Sequence, residues 1–225
     1  MASRPFQVRA GYHPAPRESM KNQFAFREYY KRRLPHIQIA GATYFITFRL
    51  SNSLPTAVLD RLAEESKIIR KLPENQRESA HRAWFEKFDN HLDQAIHGEK
   101  LLENEIIARM VAESIHYRDE KGYDLIAYCI MPNHVHLVCL PLLKEKDVFF
   151  SLTEILHSLK RHTAREANKI LQRRGAFWQD ESYDHFVRDD AELERIIKYV
   201  LYNPVKARLV KEQTDWKWNY YKYEM

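Results

Sequence analysis

The sequence predicts an α+β protein whose central element is an antiparallel β-hairpin. Residues 123–130 and 134–140 are both rich in β-branched and aromatic side chains, and only Met-Pro-Asn separates them. Residues 41–50 predict another strand, bounded by glycine on one side and by Asn, Ser and Pro on the other. Residues 176–178 and 184–188 predict a fourth strand with an irregular middle. Four strands with helices between them indicate an antiparallel sheet that is covered by helices.

The longest helical pattern lies between the first strand and the hairpin. Residues 57–71, 78–96 and 101–116 predict three helices there, separated by proline and glycine. One helix is enough to connect two strands of a sheet, so we expect a helical insertion at about residues 57–118.

Two further helices are predicted after the hairpin. Residues 151–171 have apolar positions at helical spacing, which predicts an amphipathic helix. Asp189 predicts the start of the last helix, because Glu192 follows three residues later as in a capping box, and we expect Pro204 to end it. The apolar residues expected to face inward on the amphipathic helix are Leu152, Ile155, Leu156, Leu159 and Ile170.

The chain divides into three parts by composition. Residues 1–40 hold eight Lys and Arg against two Glu, or +6, whereas the whole chain carries only +5. A basic arm with aromatic rings is suited to a nucleic-acid backbone, and Arg32 and Arg33 are candidate contacts. A solvated tail kept soluble by its charge is the alternative. Residues 41–205 form the main domain, and residues 206–225 form an aromatic tail.

Composition also excludes several classes of protein. No run approaches the roughly 18 apolar residues of a membrane-spanning helix, and the first residues lack the apolar core of a signal peptide, so we expect a cytoplasmic protein. Cys129 and Cys139 are the only cysteines, and their apolar surroundings favour buried, reduced thiols. None of the five glycines forms a phosphate-binding loop, which argues against nucleotide hydrolysis.

The second strand of the hairpin carries the first candidate site. His134 and His136 are two residues apart, so both imidazoles project from the same face of a strand. Imidazole is a common metal ligand, but a third ligand would have to come from elsewhere in the chain. Two hydrogen-bonded histidines on a half-buried strand are the alternative. The triplet Asp89, His91 and Asp93 has less weight, because in a helix only Asp89 and Asp93 share a face.

A basic ridge follows on the amphipathic helix. Arg161, Arg165 and Lys169 are four residues apart and share one helical face, and Arg173 and Arg174 come next. Such a ridge can follow the phosphates of a nucleic acid, although solvated helix faces have the same pattern.

The last helix carries a phenol and an amide on one edge. At about 100° per residue, Tyr199 and Asn203 lie only about 40° apart, beside the apolar stripe of this helix. Because a residue that precedes proline avoids the helical region, the orientation of Asn203 is the less secure part of this pair.

Two stretches together resemble a known family. Met131-Pro-Asn-His-Val-His-Leu137 and Tyr199-Val-Leu-Tyr-Asn-Pro-Val-Lys-Ala-Arg-Leu-Val210 resemble, in this order, the REP-associated tyrosine transposases of bacteria. These belong to the HUH single-strand transposases, which are named after two histidines that flank a hydrophobic residue. The resemblance also takes in residues 34–36, 44–50 and 177–178, so it covers most of the chain after the basic arm.

The resemblance implies a fold and a set of roles. The family fold is a ferredoxin-like antiparallel sheet with helices on one face, which would make residues 41–205 the catalytic domain. His134 and His136 match the pair that binds a catalytic Mg²⁺ or Mn²⁺. Tyr199 matches the nucleophilic tyrosine, and Asn203 occupies the position of a further metal ligand, where some relatives have glutamine.

The resemblance also implies a reaction and a partner. Attack by Tyr199 on single-stranded DNA would give a 5′-phosphotyrosine link, which a second DNA end could resolve without ATP. The expected substrate is a hairpin of a repetitive extragenic palindrome, acted on by a monomeric bacterial protein, with a homodimer as the alternative. Tyr202 and Tyr183 are rival nucleophiles.

The expected DNA contacts come from the arm, the ridge and Lys206 in the tail. The tail also interleaves aromatic residues with lysines, and we expect Trp216 and Trp218 to dock on the sheet rather than to stack on bases. Two other functions remain open. One is a catalytically silent DNA-hairpin-binding protein, and the less favoured one is an RNA-binding or RNA-processing protein.

Overall fold

The computed structural model describes residues 39–94 and 98–223, so Arg32 and Arg33 lie outside the described residues. Its strands and helices have the following bounds. The strands are β1 (Tyr44–Leu50), β2 (Tyr123–Ile130), β3 (His134–Pro141), β4 (Leu143–Glu145), β5 (Val148–Phe149), β6 (Trp178–Phe186) and β7 (Asn219–Tyr221). The α-helices are α1 (Thr56–Arg70), α2 (Glu74–Asp93), α3 (Glu105–Arg118), α4 (Leu152–Ile170) and α5 (Asp190–Lys206).

Five of the strands form one antiparallel sheet in the order β6-β1-β3-β2-β7, and β4 and β5 pair separately. The α+β prediction is confirmed. The order β6-β1-β3-β2, with α3 and α4 in the connections, is the ferredoxin-like arrangement that the resemblance implied. The hairpin predicted at 123–130 and 134–140 is the pair β2 and β3 at the centre of this sheet.

Helices cover both faces of the sheet, not one. Helices α3 and α4 pack on the first face, whereas α1, α2 and α5 pack on the second. The physical reason lies in β1, where all seven residues are buried and large apolar side chains such as Phe45 and Ile46 point to opposite faces. A strand that is apolar on both sides needs cover on both sides.

Helices α1 and α2, together termed the helical cap (residues 56–93), lie outside the ferredoxin-like arrangement. The indole of Trp84 on α2 donates to the Leu62 carbonyl on α1 over 2.9 Å, which joins the two helices. The third helix predicted for the insertion, at residues 101–116, is α3, and it belongs to the layer on the opposite face.

The two ends of the helical cap meet at one point. Gly98 has φ +118°, and a Cβ at this position would lie 2.7 Å from the Asn52 carbonyl oxygen and 2.8 Å from that of Ser53. Only glycine permits so close an approach of two backbone segments. The described residues before and after the cap therefore lie against each other.

Helix α5 begins as predicted and ends later than predicted. The Asp189 carboxylate caps it by accepting from the Glu192 amide over 2.8 Å. The expectation that Pro204 ends the helix was wrong, because a proline near the last turn removes only one helical hydrogen bond and Pro204 is buried here. Asn203 therefore keeps a helical conformation, and Lys206 is carried on the same edge.

Helix α4 and the tail also match most of the expectations. Ser151 and Glu154 form a capping box at the start of α4, but Ile170 is exposed, since it lies in the last turn beyond the buried Ala167. The Trp216 indole donates to the Ile130 carbonyl over 3.0 Å, and Trp218 packs against the core. Docking of the tryptophans on the sheet is confirmed.

Candidate active site

The two histidines of β3 face the helical cap and α5. In the sheet register Thr47 on β1 lies opposite His136, and both side chains belong to the second face. The Nε2 atoms of His134 and His136 lie 3.1 Å apart, and neither side chain is exposed to solvent. The strand alternation therefore converges two imidazole nitrogens on one buried point, as predicted from the spacing.

Hydrogen bonds on the other ring nitrogens orient these imidazoles. The Asn133 side-chain oxygen lies 2.7 Å from His134 Nδ1, while its nitrogen donates to the Leu92 carbonyl over 3.0 Å. Because Asn133 thus presents an acceptor, His134 carries its proton on Nδ1 and directs the lone pair of Nε2 into the site. His136 Nδ1 lies 2.8 Å from the Thr47 hydroxyl, which holds the second ring.

A carboxylate that sequence reasoning gave little weight completes this group. Asp89 on α2 is fully buried, and its Oδ1 lies 3.3 Å from His136 Nε2 and 3.9 Å from His134 Nε2. The only sequence signal was the helical spacing of Asp89 and Asp93. That spacing predicted a shared face but could not predict that the face turns toward β3.

Tyr199 and Asn203 of α5 meet the same carboxylate. The Tyr199 hydroxyl donates to Asp89 Oδ2, and Asn203 Nδ2 lies 3.3 Å from this oxygen and 3.0 Å from His136 Nε2. The predicted adjacency of Tyr199 and Asn203 on one helical edge therefore holds, and both point at the histidine pair.

The donor set fits a divalent metal. The ligand atoms of Asp89, His134 and His136 all lie within 4.8 Å of one another. Within the described part of the chain, the buried oxygens Asp89 Oδ1 and Asn203 Oδ1 have no hydrogen-bond donor. Buried oxygens without a donor beside two imidazole lone pairs are suited to a cation, because each would otherwise lose its solvation without compensation.

A lysine and a second carboxylate border this group. Lys206 Nζ lies 3.2 Å from Asp89 Oδ2 and 2.9 Å from Asp93 Oδ2. Burial raises the pKa of Asp93 to about 6, with the Asp89 charge adding to the shift and Lys206 opposing it. Lys206 itself has a raised pKa, because the two carboxylates outweigh its own burial. His91, the third member of the triplet, has no part in this group.

The electrostatics keep His134 neutral. Burial, and then the neighbouring His136, lower the pKa of His134 to about 3, although the Asp89 charge opposes this shift. Burial acts to raise the pKa of Asp89, but the two histidines and Lys206 outweigh it and hold that pKa below its usual range. A neutral imidazole next to an ionised carboxylate is the protonation state that a metal requires.

The rival tyrosines lie elsewhere. Tyr202 is 56% exposed on the outer side of α5. Tyr183 stacks on Phe85 with ring centroids 4.2 Å apart, and burial raises its pKa. Only Tyr199 of these three has its hydroxyl against the Asp89 and histidine group.

The predicted DNA-binding residues have different surroundings. Arg161 and Arg174 are exposed, whereas Lys206 lies at the candidate site. Arg165 and Lys169 both pair with Glu166, at 2.8 and 3.1 Å. Arg173 pairs with Glu99 at 2.9 Å and is partly buried. The ridge is therefore less positive than its spacing suggested.

Comparison with known proteins identifies a family model that matches part of the chain. Residues 95–203 match a family model described as "Transposase IS200 like". This segment, just under half of the chain, resembles the IS200-like transposase family. It contains the histidine pair, Tyr199 and Asn203, but neither β1 nor the helical cap with Asp89.

Two curated relatives carry the narrower name. A protein of Haemophilus influenzae assigned to the REP-associated tyrosine transposases is 32% identical over 105 residues, which are 43% of this chain and 58% of the relative. A REP-associated tyrosine transposase of Escherichia coli is 26% identical over 102 residues, which are 45% of this chain and 56% of the relative. The chain thus spans somewhat more than half the length of these relatives, and the resemblance drawn from the sequence is confirmed.

A solved structure shares the fold. A REP-associated tyrosine transposase bound to a REP hairpin aligns with a TM-score of 0.52 and 17% identity, over 84% of this chain and 80% of the other. At this identity the likeness concerns the fold alone. Of the helices in the described residues, none has the length and apolar character needed to cross a membrane.

Proposed function

We propose that this protein cuts single-stranded DNA at repeat hairpins and transfers the strand through a covalent link to Tyr199. The observation that carries the proposal is the convergence of the Tyr199 hydroxyl, the Asn203 amide and two imidazoles on one buried carboxylate. The family match and the hairpin held by the structural neighbour support this choice of substrate.

The proposed metal ligands during cleavage are His134, His136 and Asn203 Oδ1, and Asp89 completes the donor set only while no DNA phosphate occupies the site. Mg²⁺ or Mn²⁺ bound there would polarise the scissile phosphate and stabilise the charge that develops on it. Asn133 and Thr47 keep the two rings in the orientation that this role needs.

The chain's own residues supply the nucleophile and its setting. Tyr199 Oη attacks phosphorus, the bond from phosphorus to the DNA 3′-oxygen breaks, and a 5′-phosphotyrosine forms. The phenol proton passes to solvent, and the departing 3′-oxygen takes up a proton from solvent. Lys206 Nζ lies 5.4 Å from the centre of the Tyr199 ring, and its charge favours phenolate. A second DNA 3′-hydroxyl then displaces Tyr199, since the link keeps the phosphoester energy.

Cations of the basic arm, of the basic ridge and at the edge of the candidate site are the proposed DNA contacts. They are Arg32, Arg33, Arg161, Arg165, Lys169, Arg173, Arg174 and Lys206. Exposed Arg161 and Arg174 have the largest expected share, because several of the others already pair with carboxylates. We propose that a monomer suffices, since Tyr199 reaches the histidine pair of its own chain.

The test is covalent capture of DNA. The protein is incubated with labelled single-stranded hairpin DNA from repeats that flank its own gene, with Mn²⁺ or Mg²⁺, and is then run on a denaturing gel. We expect a metal-dependent adduct that Tyr199→Phe removes and the matched control Tyr202→Phe keeps. An adduct that survives Tyr199→Phe would refute the assignment of the nucleophile.

A hairpin-binding protein without turnover is the second candidate. The observation in its favour is that the metal-binding side chains are completely buried in this structure. Tight binding of hairpin DNA without an adduct on any flanking repeat would support it.

A further inference from the structure

The metal-binding part of the candidate active site is closed to a DNA strand, whereas Tyr199 and Lys206 at its edge are partly exposed. Asp89, His134, His136 and Asn203 each have 0% exposure. A scissile phosphate must come within about 3.5 Å of the attacking oxygen, and the strand continues on both sides of that phosphate. Of the described elements that cover this point, α2 is the one outside both the sheet and the tyrosine helix α5. The burial therefore comes largely from the helical cap.

The Asp89 carboxylate stands where a phosphate would be held. Its Oδ2 accepts from the Tyr199 hydroxyl and lies 3.2 Å from Lys206 Nζ and 3.3 Å from Asn203 Nδ2. Its Oδ1 faces His136 at 3.3 Å. These are the nucleophile, the cation and the metal-binding face that the proposed reaction presents to DNA. Carboxylate and phosphate oxygens use the same donors, so the two compete for one position.

The connections of the cap suit movement as a unit. The chain enters at Asn52 and Ser53 and returns at Gly98, which touches the backbone of both. Asn52 has φ +58° and Gly98 has φ +118°, conformations that end regular structure at this contact. A two-helix segment whose flanking residues lie side by side can rotate about that contact without pulling them apart.

Ion pairs join both ends of α2 to the start and the end of α5. Glu78 on α2 pairs with Arg188, which precedes α5 and also binds Glu192. Asp93 pairs with Lys206 at the other end of α5. Glu78 and Arg188 remain 55% and 30% exposed, so this pair can break without burying an isolated charge.

We propose that the helical cap is a gate, with Asp89 as the carboxylate that holds it shut, and that single-stranded DNA displaces it to reach Tyr199. The proposal rests on the proposed function, because it identifies the displacing ligand as DNA. Asp89 then has two positions. It faces the histidines in the closed state, and it gives way to the scissile phosphate in the open state.

Hydrogen exchange of the full chain tests the gate directly. In the free protein, the amides of residues 74–93 should exchange through a local opening at least about tenfold faster than those of β1 and β3. Hairpin DNA added to the Tyr199→Phe variant, which cannot form the covalent link, should speed exchange in residues 74–93 beyond that of the same variant without DNA, because the variant already lacks the bond from Tyr199 to Asp89. Slower exchange there with DNA, or exchange in free protein only together with the sheet, would overturn the gate.

Variants separate the effect of the ion pair between Glu78 and Arg188, termed the latch, from general effects on α2. Glu78→Ala removes the pair with Arg188, together with an exposed pair with Arg82 on the same helix, and should raise both the opening rate and the cleavage rate about two- to fivefold. Glu86→Ala on the same helix is the matched control, since Glu86 is exposed and makes no ion pair among the described residues. Equal effects of the two variants, or slower cleavage by Glu78→Ala, would contradict the latch.

Asp89→Asn tests the competition without metal. In EDTA, the variant should bind a single-stranded hairpin severalfold more tightly than the wild type, because it keeps the shape of the side chain and removes the competing charge. Unchanged or weaker binding would show that Asp89 does not compete with DNA. If DNA speeds exchange in residues 74–93 but no covalent adduct forms, cleavage is refuted and the gate is not. An adduct formed while DNA protects residues 74–93 would refute the gate alone.

Discussion

The two faces of the sheet are both covered by helices, but they bury different kinds of side chain. Under α3 and α4, the face is filled by apolar side chains such as Leu137 and Val135 of β3. On the opposite face, the same strand turns His134 and His136 toward a carboxylate, an amide and a phenol. Both faces are buried. On the first face, buried polar groups form local pairs such as Trp178 with Thr163 at 2.8 Å, whereas the second face gathers several polar groups at one point.

Because of this difference, neighbouring residues of β3 contribute separately to stability and to function. Burial of an apolar side chain stabilises the fold whatever surrounds it, whereas a buried polar group costs free energy unless its partners are in place. The second face retains this cost, because Asp89 Oδ1 and Asn203 Oδ1 have no hydrogen-bond donors in the described structure. Such a face is suited to binding a ligand. Substitutions on the two faces should therefore fail in different ways.

The largest expected effect is loss of cleavage on the site face. His136→Ala removes a proposed metal ligand and should reduce the cleavage rate about 10³-fold or more, since metal stabilisation of the transition state is worth several kcal/mol. Gel assays with saturating Mn²⁺ measure this rate. Activity within tenfold of the wild type would show that the site face does not carry the reaction.

The adjacent residue on the other face should affect stability instead. Leu137→Ala leaves a cavity in the apolar core and should lower the free energy of unfolding by about 2–5 kcal/mol. Urea denaturation measures the loss, and metal titration below the unfolding transition should give the wild-type affinity. A large loss of metal affinity would mean that the two faces are not independent.

Acid should weaken the site face through Glu192. Burial acts to raise its pKa, but Arg188 and His185 outweigh burial and lower it to about 2. A depressed carboxyl pKa stabilises the folded state above the unfolded pKa of 4.5, and this contribution is lost as the pH falls from there toward 2. The contribution is at most about 3 kcal/mol, by the 1.36 kcal/mol per pKa unit of linkage. Unfolding at several pH values should be less acid-sensitive in Glu192→Gln, and an unchanged slope would exclude this carboxyl as the source.

A smaller effect is expected from the residue that orients His134. Asn133→Ala removes the acceptor at Nδ1 and should weaken metal binding about 10- to 100-fold. Asn133→Asp keeps an acceptor for His134, loses the bond to Leu92 and adds a negative charge, so it should bind Mn²⁺ at least as tightly as the wild type. Calorimetry with Mn²⁺ distinguishes them, and equal losses would assign the effect to the Leu92 contact.

The smallest effect compares two cations of the basic ridge. Arg161 has no ion-pair partner in the described ranges, whereas Arg165 is neutralised by Glu166 at 2.8 Å. Arg161→Ala should reduce the slope of log affinity for single-stranded DNA against log salt by about 0.7, and Arg165→Ala by clearly less. Similar slopes would show that Glu166 does not compensate Arg165 in the complex.

Much of the fold follows from local patterns. The hairpin of β2 and β3 was predictable because apolar runs of strand length flank a short proline-containing turn. The start of α5 was predictable from Asp189, since capping depends on neighbouring residues only. The end of α5 was not, because the tolerance of a helix for Pro204 depends on the packing around it.

The candidate site divides in the same way. The strand spacing of His134 and His136 and the helical spacing of Tyr199 and Asn203 each determined that the members of a pair share a face. The meeting of the two pairs rested on family resemblance, and the structure brings them within hydrogen-bond distance. Asp89 is separated from His136 by 47 positions and carries no recognisable motif, so sequence reasoning could not place it.

The sequence by itself determined most of the elements, the pairs of side chains on each of them and the family resemblance, because these depend on periodicity and on short motifs. The tertiary structure alone decided that helices cover both faces of the sheet, that α2 turns Asp89 toward the histidines, and that Glu166 compensates part of the basic ridge. These outcomes depend on contacts between distant segments, whose geometry is set by the packing of the whole chain and not by local preference.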